Sequence, residues 1–229
     1  MRRMMKAVFA LSFTLTAALA QAGALDAISS GDASAGVKEA LAKGADYAVS
    51  SLGKSGGFMG NDKVKIKLPG YLEKADSALR MFGMGKQADQ LVETMNRAAE
   101  NAVAEAKPIL TDSIKKMSVK DAKDILTGGE DSVTQYFKRS STDQLTAKFK
   151  PIVKKETAKL KLADQYNKFA GKAASAGLVD KQNADVDSYV TQKAMDGLFL
   201  MIAEEEKKLR ANPMGAGSDL LKNVFGALN

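Results

Sequence analysis

The chain has 229 residues with 34 Lys and Arg, 27 Asp and Glu, and no cysteine, histidine or tryptophan. The absence of histidine and cysteine excludes Ser-His-Asp and Cys-His nucleophile systems as usually built, together with zinc held by those side chains. Only carboxylates, lysines, tyrosines and hydroxyls remain for proton transfer, which lowers the odds of an ordinary hydrolase.

The first residues read as a secretory signal peptide. "MRRMMK" is a basic start, and "AVFALSFTLTAALA" is an apolar run of 14 residues, short for a bilayer span. "ALAQAG" offers small residues for cleavage after Ala20 or Ala22, so residues 1–22 are expected to be removed. No cysteine is present for lipid attachment, and no second apolar run is long enough to span a membrane. The expectation is a soluble periplasmic protein whose residues 23–229 form a single helical domain. Losing Arg2, Arg3 and Lys6 leaves 31 basic and 27 acidic residues, a net charge of +4. Residues 138–172 alone carry ten Lys or Arg against Asp143, Glu156 and Asp164.

Alanine, leucine, lysine, glutamate and glutamine dominate the mature chain, which predicts an all-α fold. A first helix is expected from about Ala35 to Leu52, stopped by glycines. "VKIKL" then alternates apolar and basic side chains. It reads as a short strand or an extended loop and, lacking a partner strand, as a clasp over residues 63–68 laid across helices. "YLEKADSALRMFG" gives a short helix ending at Gly83, and a long helix starts near Lys86. Pro108 should kink or break that helix. "SVKD" at 118–121 is a capping-box pattern, as is Ser141 with Gln144, so a short helix is expected before Ser141 and a new one after it. The basic segment then runs helical to about Ala176 with an interruption near Pro151. "AGLVDKQNADVDS" reads as a loop, and the last long helix runs from about Asp187 to Arg210. Residues 218–228 close the chain with an amphipathic turn or two.

"MNRAAENAVAEA", residues 95–106, holds the first candidate site. At 100° per residue Leu91, Met95, Ala98, Ala99, Ala102 and Val103 share one arc, while Glu93, Asn96, Arg97, Glu100 and Asn101 share the opposite one. Periodicity alone reads the polar arc as a solvated face laced by ion pairs. In the last helix Glu206 projects from an apolar arc of Met195, Leu198, Phe199, Ile202 and Leu209, with Glu205 at its edge and Arg210 one turn on. A carboxylate there needs a partner, for which Arg210 and Arg97 are candidates. A structural ion pair is the plainer reading, and a buried pocket that reads a ligand is the sharper one. Glu100 and Glu206 as an acid–base pair would suit glycoside hydrolysis, but aromatic residues for a sugar cleft are sparse.

No calcium loop or phosphate-binding motif is complete, and no metal or cofactor is expected. Lys148, Lys150, Lys154, Lys155, Lys159 and Lys161 could make weak contact with an anionic surface. Nucleic acid is disfavoured, because aromatics are missing among the lysines.

"VKIKLPGYLEKA", "MNRAAENAVAEAKPIL", "SVKDAKDILTGGEDSVTQYF", "YVTQKAMDGLFLMIAEEEKKLRANP" and "LLKNVFG", in this order, resemble a bacterial family of exported proteins, domain of unknown function 4197. Ser132 and Val133 depart from the alanines common there. The resemblance implies a mostly helical exported domain and supplies no catalytic residue. It also implies that Asn96, Arg97 and Glu100 belong to one design with Glu205, Glu206 and Arg210, so the two helices are expected to pack with these groups converging. The resulting functional expectation is a non-catalytic binding module for an envelope partner protein or a small ligand. A structural or assembly factor of the envelope is the alternative, and a carboxylate-based hydrolase comes third.

Overall fold

A computed structural model describes residues 30–68, 73, 76–83, 85–175, 185–212, 218, 219, 222 and 224. The expected signal peptide, Pro69 and most of the loop after Ser175 lie outside the described residues. The described chain forms helices α1 (Ser30–Leu52), α2 (Asp76–Met81), α3 (Gly85–Ala104), α4 (Lys107–Lys116), α5 (Val119–Thr127), α6 (Ser132–Thr157), α7 (Lys161–Ser175) and α8 (Val186–Ala211). No strand occurs among these residues, and no described helix is long and apolar enough to cross a membrane. The fold is all-α, as composition predicts.

Helix α8 is the axis of the packing. It lies against α6, α1 and α3, and α3 also packs on α6. The 26 residues of α8 are buried over most of their circumference, with Val190, Ala194, Leu198 and Ile202 fully enclosed. The facing arc of α3 is small: Ala98, Ala99 and Ala102 are wholly buried, so neighbouring helices approach closely. Asp185 starts α8 by accepting the Ser188 N–H at 2.7 Å, a side-chain N-cap.

The two described prolines and the capping signals resolve differently. Pro108 falls in the first turn of α4, where its missing N–H leaves nothing unpaired, and α3 ends at Ala104. Ser118 and Asp121 form the expected reciprocal capping box of α5. The expected breaks at Ser141 and Pro151 do not occur, because α6 runs unbroken from Ser132 to Thr157. Ser141 is buried in mid-helix and donates back to the Phe137 carbonyl instead of starting a new helix. Pro151 and Ala147 are exposed, so the carbonyl that the proline leaves without an N–H faces water. The real interruption comes at 158–160, before α7.

Of the expected C-terminal segment, Ser218, Asp219, Lys222 and Val224 are described. Val224 is fully buried and sits on Gly36 of α1, where an added Cβ would lie 2.6 Å from Val224 Cγ2.

Candidate functional site

Between α1 and α2 the chain folds back as a clasp over residues 53–68. Its first turn depends on glycine: a Cβ at Gly57 would stand 2.4 Å from the Leu52 carbonyl oxygen. Phe58, next along, is fully buried. Its ring lies on Gly197 of α8, where a Cβ would be 2.7 Å from Phe58 Cε1. After a turn in which the Val64 and Lys65 N–H groups donate to the Asn61 carbonyl, the chain is extended from Lys65, and buried and outward side chains alternate from Lys63 to Leu68. Val64, Ile66 and Leu68 are buried, whereas Lys63 and Lys67 are exposed and Lys65 is half-buried.

Two side chains of α3 hold this clasp. Asn96 Oδ1 accepts the Ile66 N–H at 2.9 Å, and Asn96 Nδ2 donates to the Ile66 carbonyl at 2.8 Å and the Val92 carbonyl at 2.7 Å. The side-chain amide thus gives Ile66 the pairing that a neighbouring strand would give. One turn on, Glu100 Oε1 accepts the N–H groups of Phe58 at 3.0 Å and Met59 at 3.3 Å. From α8, the Tyr189 hydroxyl donates to the Lys67 carbonyl at 3.2 Å. Burial, and secondarily the charge of Glu73, pushes that phenol above its ordinary range, so it stays a donor at neutral pH.

A second polar network lies on the far part of α8. Asp131 stands at the N-cap of α6 but makes no side-chain cap. Glu206 supplies the cap from another helix: its carboxylate accepts Val133 N–H at 2.9 Å, Thr134 N–H at 3.1 Å and Thr134 Oγ1 at 3.1 Å. Negative charge at a helix N-terminus is favourable, and these N–H groups have no partner within their own helix. Arg210 closes the network, donating to Glu206 Oε1 at 3.1 Å, to Ser132 Oγ at 2.6 Å and to the Ile125 carbonyl at 3.0 Å.

The polar arc of α3 is therefore divided. Asn96 is 0% exposed and Glu100 6%, so they are not part of a solvated face. Helical periodicity misplaces them because the clasp covers that side of the helix. Arg97 does stand in water and pairs with Glu93 at 2.8 Å. The two polar sets do not converge: Glu206 meets Arg210 rather than Arg97, and Glu205 pairs with Lys208 at 3.3 Å. Each buried carboxylate is occupied by backbone donors. Glu206 borders a void of about 10 Å³, room for no more than one water. Glycoside hydrolysis uses two carboxylates flanking one open cleft, whereas here Glu100 receives N–H groups of the clasp and Glu206 those of the first turn of α6. Among the described residues no three carboxylates gather as a metal site.

The open space lies elsewhere, outside the clasp. A cleft of about 290 Å³ is lined by the clasp residues 63–67, by Glu73, and by Tyr189, Lys193, Asp196, Gly197 and Leu200 of α8. Lys63 pairs with Glu204, and Lys193 with Asp196 at 3.7 Å. Sequence reasoning did not single out Lys65, Lys67, Tyr189 or Leu200 as site residues. The signal that could have found them is the alternation of "KVKIKL", which turns three lysines to the side opposite the core.

An all-helical chain with an extended clasp and a lysine-rimmed cleft is the class these features define. The chain belongs to the family described as Protein of unknown function (DUF4197), whose model matches residues 27–226. No curated protein and no solved structure matches it.

Proposed function

We propose that this protein is a non-catalytic binding module of the cell envelope, and that it binds a small ligand in the cleft between the clasp and α8. The observation that carries this reading is the cleft itself. Its floor is fixed from behind by Asn96, Glu100 and Phe58, while its lining combines apolar side chains with lysines. Concave, largely pre-formed sites with a few placed polar groups are the usual form of small-ligand sites. The envelope location rests on the signal-peptide pattern of residues 1–22.

Native mass spectrometry of the gently isolated protein, compared with its denatured mass, tests the reading. Extra mass that disappears on denaturation, and that is absent from a variant with the cleft filled by Leu200→Trp, supports it. A bare chain from every gentle preparation, with no compound class raising thermal stability, counts against it.

A docking or assembly role draws on a different feature, the hairpin between α2 and α3. Met81 is 86% and Phe82 82% exposed there, an unusual placement for two large apolar side chains. Crosslinking from position 82 to an envelope protein would favour that role. The basic face of α6 and α7 offers a further weak contact with anionic surfaces, since Lys148 and Lys159 have ion-pair partners whereas Lys150, Lys154, Lys155 and Lys161 are exposed.

A further inference from the structure

We infer that the cleft takes a small anionic amphiphile: one apolar chain or ring bearing a phosphate or carboxylate. The inference rests on the binding-module reading above and names the ligand class of that same site. Lys65 and Lys67 carry the charged part. They stand two residues apart on one side of an extended chain, so their Cα atoms are roughly 7 Å apart. That spacing lets both flexible ammonium groups close on one multi-oxygen anion. Lys63 and Lys193 are already neutralised by Glu204 and Asp196, whereas no ion pair involves Lys65 or Lys67 among the described residues. Glu73 is the one lining carboxylate without an ion pair there, so the cleft keeps a positive balance. A neutral ligand would cover these two lysines without pairing them, which is unfavourable.

The apolar part has its own wall. Leu200 is 40% exposed on the α8 side, one turn beyond Gly197 and well along the helix from Tyr189. Behind it the Phe58 ring packs on Gly197, and Val64 and Ile66 are turned inward behind the lysines, so the floor of the cleft is closed. At about 290 Å³ the cleft lies near the low end of the roughly 300–1,000 Å³ typical of small-molecule sites, which suits a head group with a short chain rather than a whole diacyl lipid. The clasp edge thus carries two lysines with no ion pair among the described residues, and the α8 edge sets Leu200 beside the already neutralised Lys193–Asp196 pair, so an amphiphile finds a partner for each of its ends.

Octyl phosphate below its micelle-forming concentration, inorganic phosphate and octyl glucoside are the three probes. Each is titrated into the full chain purified from expressing cells, with affinity read by calorimetry and location by amide chemical shifts. Octyl phosphate is expected to bind at least ~10-fold more tightly than either other probe and to shift Lys65, Lys67 and Leu200. The double variant K65Q/K67Q is expected to weaken it about tenfold, what two part-exposed charge pairs contribute together. Leu200→Gln should weaken octyl phosphate while leaving inorganic phosphate unchanged. All of these side chains are at least partly exposed, so the variants keep the fold. Equal binding of octyl glucoside, inorganic phosphate matching octyl phosphate, or indifference to K65Q/K67Q overturns the ligand class but leaves a binding cleft standing. If no probe moves any cleft amide, the ligand class and the binding-module reading fall together.

Discussion

Replacing Glu206 with alanine gives the sharpest test of how α6 and α8 are joined. The carboxylate receives two backbone N–H groups and one hydroxyl from the first turn of α6, and it receives the Arg210 guanidinium from its own helix. Its side chain is 1% exposed and that of Arg210 is 15% exposed, so water is poorly placed to substitute. Alanine leaves the Val133 and Thr134 N–H groups buried without acceptors, at about 1–3 kcal/mol each. Arg210 keeps its bonds to Ser132 and Ile125 but loses the carboxylate, and breaking one side of a buried pair costs about 3–5 kcal/mol. These contributions overlap, so the expected loss is about 3–5 kcal/mol in total, a large share of the roughly 5–15 kcal/mol available to a domain. Urea unfolding followed by circular dichroism measures it as a lower midpoint with unchanged slope. Arg97→Ala is the control, because its exposed pair with Glu93 should change stability by less than about 0.5 kcal/mol. A Glu206→Ala loss below about 1 kcal/mol would refute the trans-capping account, as would equal effects of the two substitutions.

Three further substitutions probe the clasp and the caps. Asn96→Ala removes the three hydrogen bonds that hold Ile66 and Val92, and should raise amide exchange at residues 58–68 by releasing the clasp, at about 1–3 kcal/mol. Gly197→Ala places a Cβ 2.7 Å from the buried Phe58 ring, so overpacking should lower stability by about 1–3 kcal/mol and shift the Phe58 resonances. Asp121 has its carboxyl held below the ordinary range by the Ser118 hydroxyl first and the Ser118 backbone N–H second. A depressed folded value means that its stabilising effect is complete above the unfolded value of about 3.9 and is lost as pH falls through the lower folded one. The stability gap between the wild-type chain and Asp121→Ala should therefore be present at pH 7 and should shrink in strongly acid solution.

The helices were legible because their signals are local. The Ser118–Asp121 box, the glycine stop after Leu52 and the apolar arcs of α3 and α8 each need only a few neighbouring residues to be read. Ser141 and Pro151 misled for the same reason: both are local break signals, overruled once α6 had α8 and α3 to pack against. The site was harder to read because its parts come from different elements. Asn96 and Glu100 look polar and wetted until a segment about 30 to 40 residues earlier is laid over them, and only then does their residue type make sense. Glu206 was conspicuous, since a carboxylate in an apolar stripe demands a partner. That partner proved to be the start of a helix more than 70 residues away, and no spacing rule reaches that far.

The two polar sets do one kind of work by the same means. A chain with neither cysteine nor histidine has anchored the clasp and the start of α6 by placing one carboxylate from α3 and one from α8 against bare backbone N–H groups. This leaves the clasp in a particular position. Its inner edge is held by Asn96 and Glu100, and its outer edge presents Lys65 and Lys67 to the cleft, so both edges belong to the same few residues. A ligand that binds the outer edge stabilises the ordered clasp by mass action, and loosening the inner edge must weaken the ligand by the same coupling. Asn96→Ala should therefore reduce binding in the cleft although Asn96 does not line it, and adding ligand should restore part of the lost exchange protection at residues 58–68. If binding is unchanged while the clasp exchanges freely, the cleft does not depend on the ordered clasp.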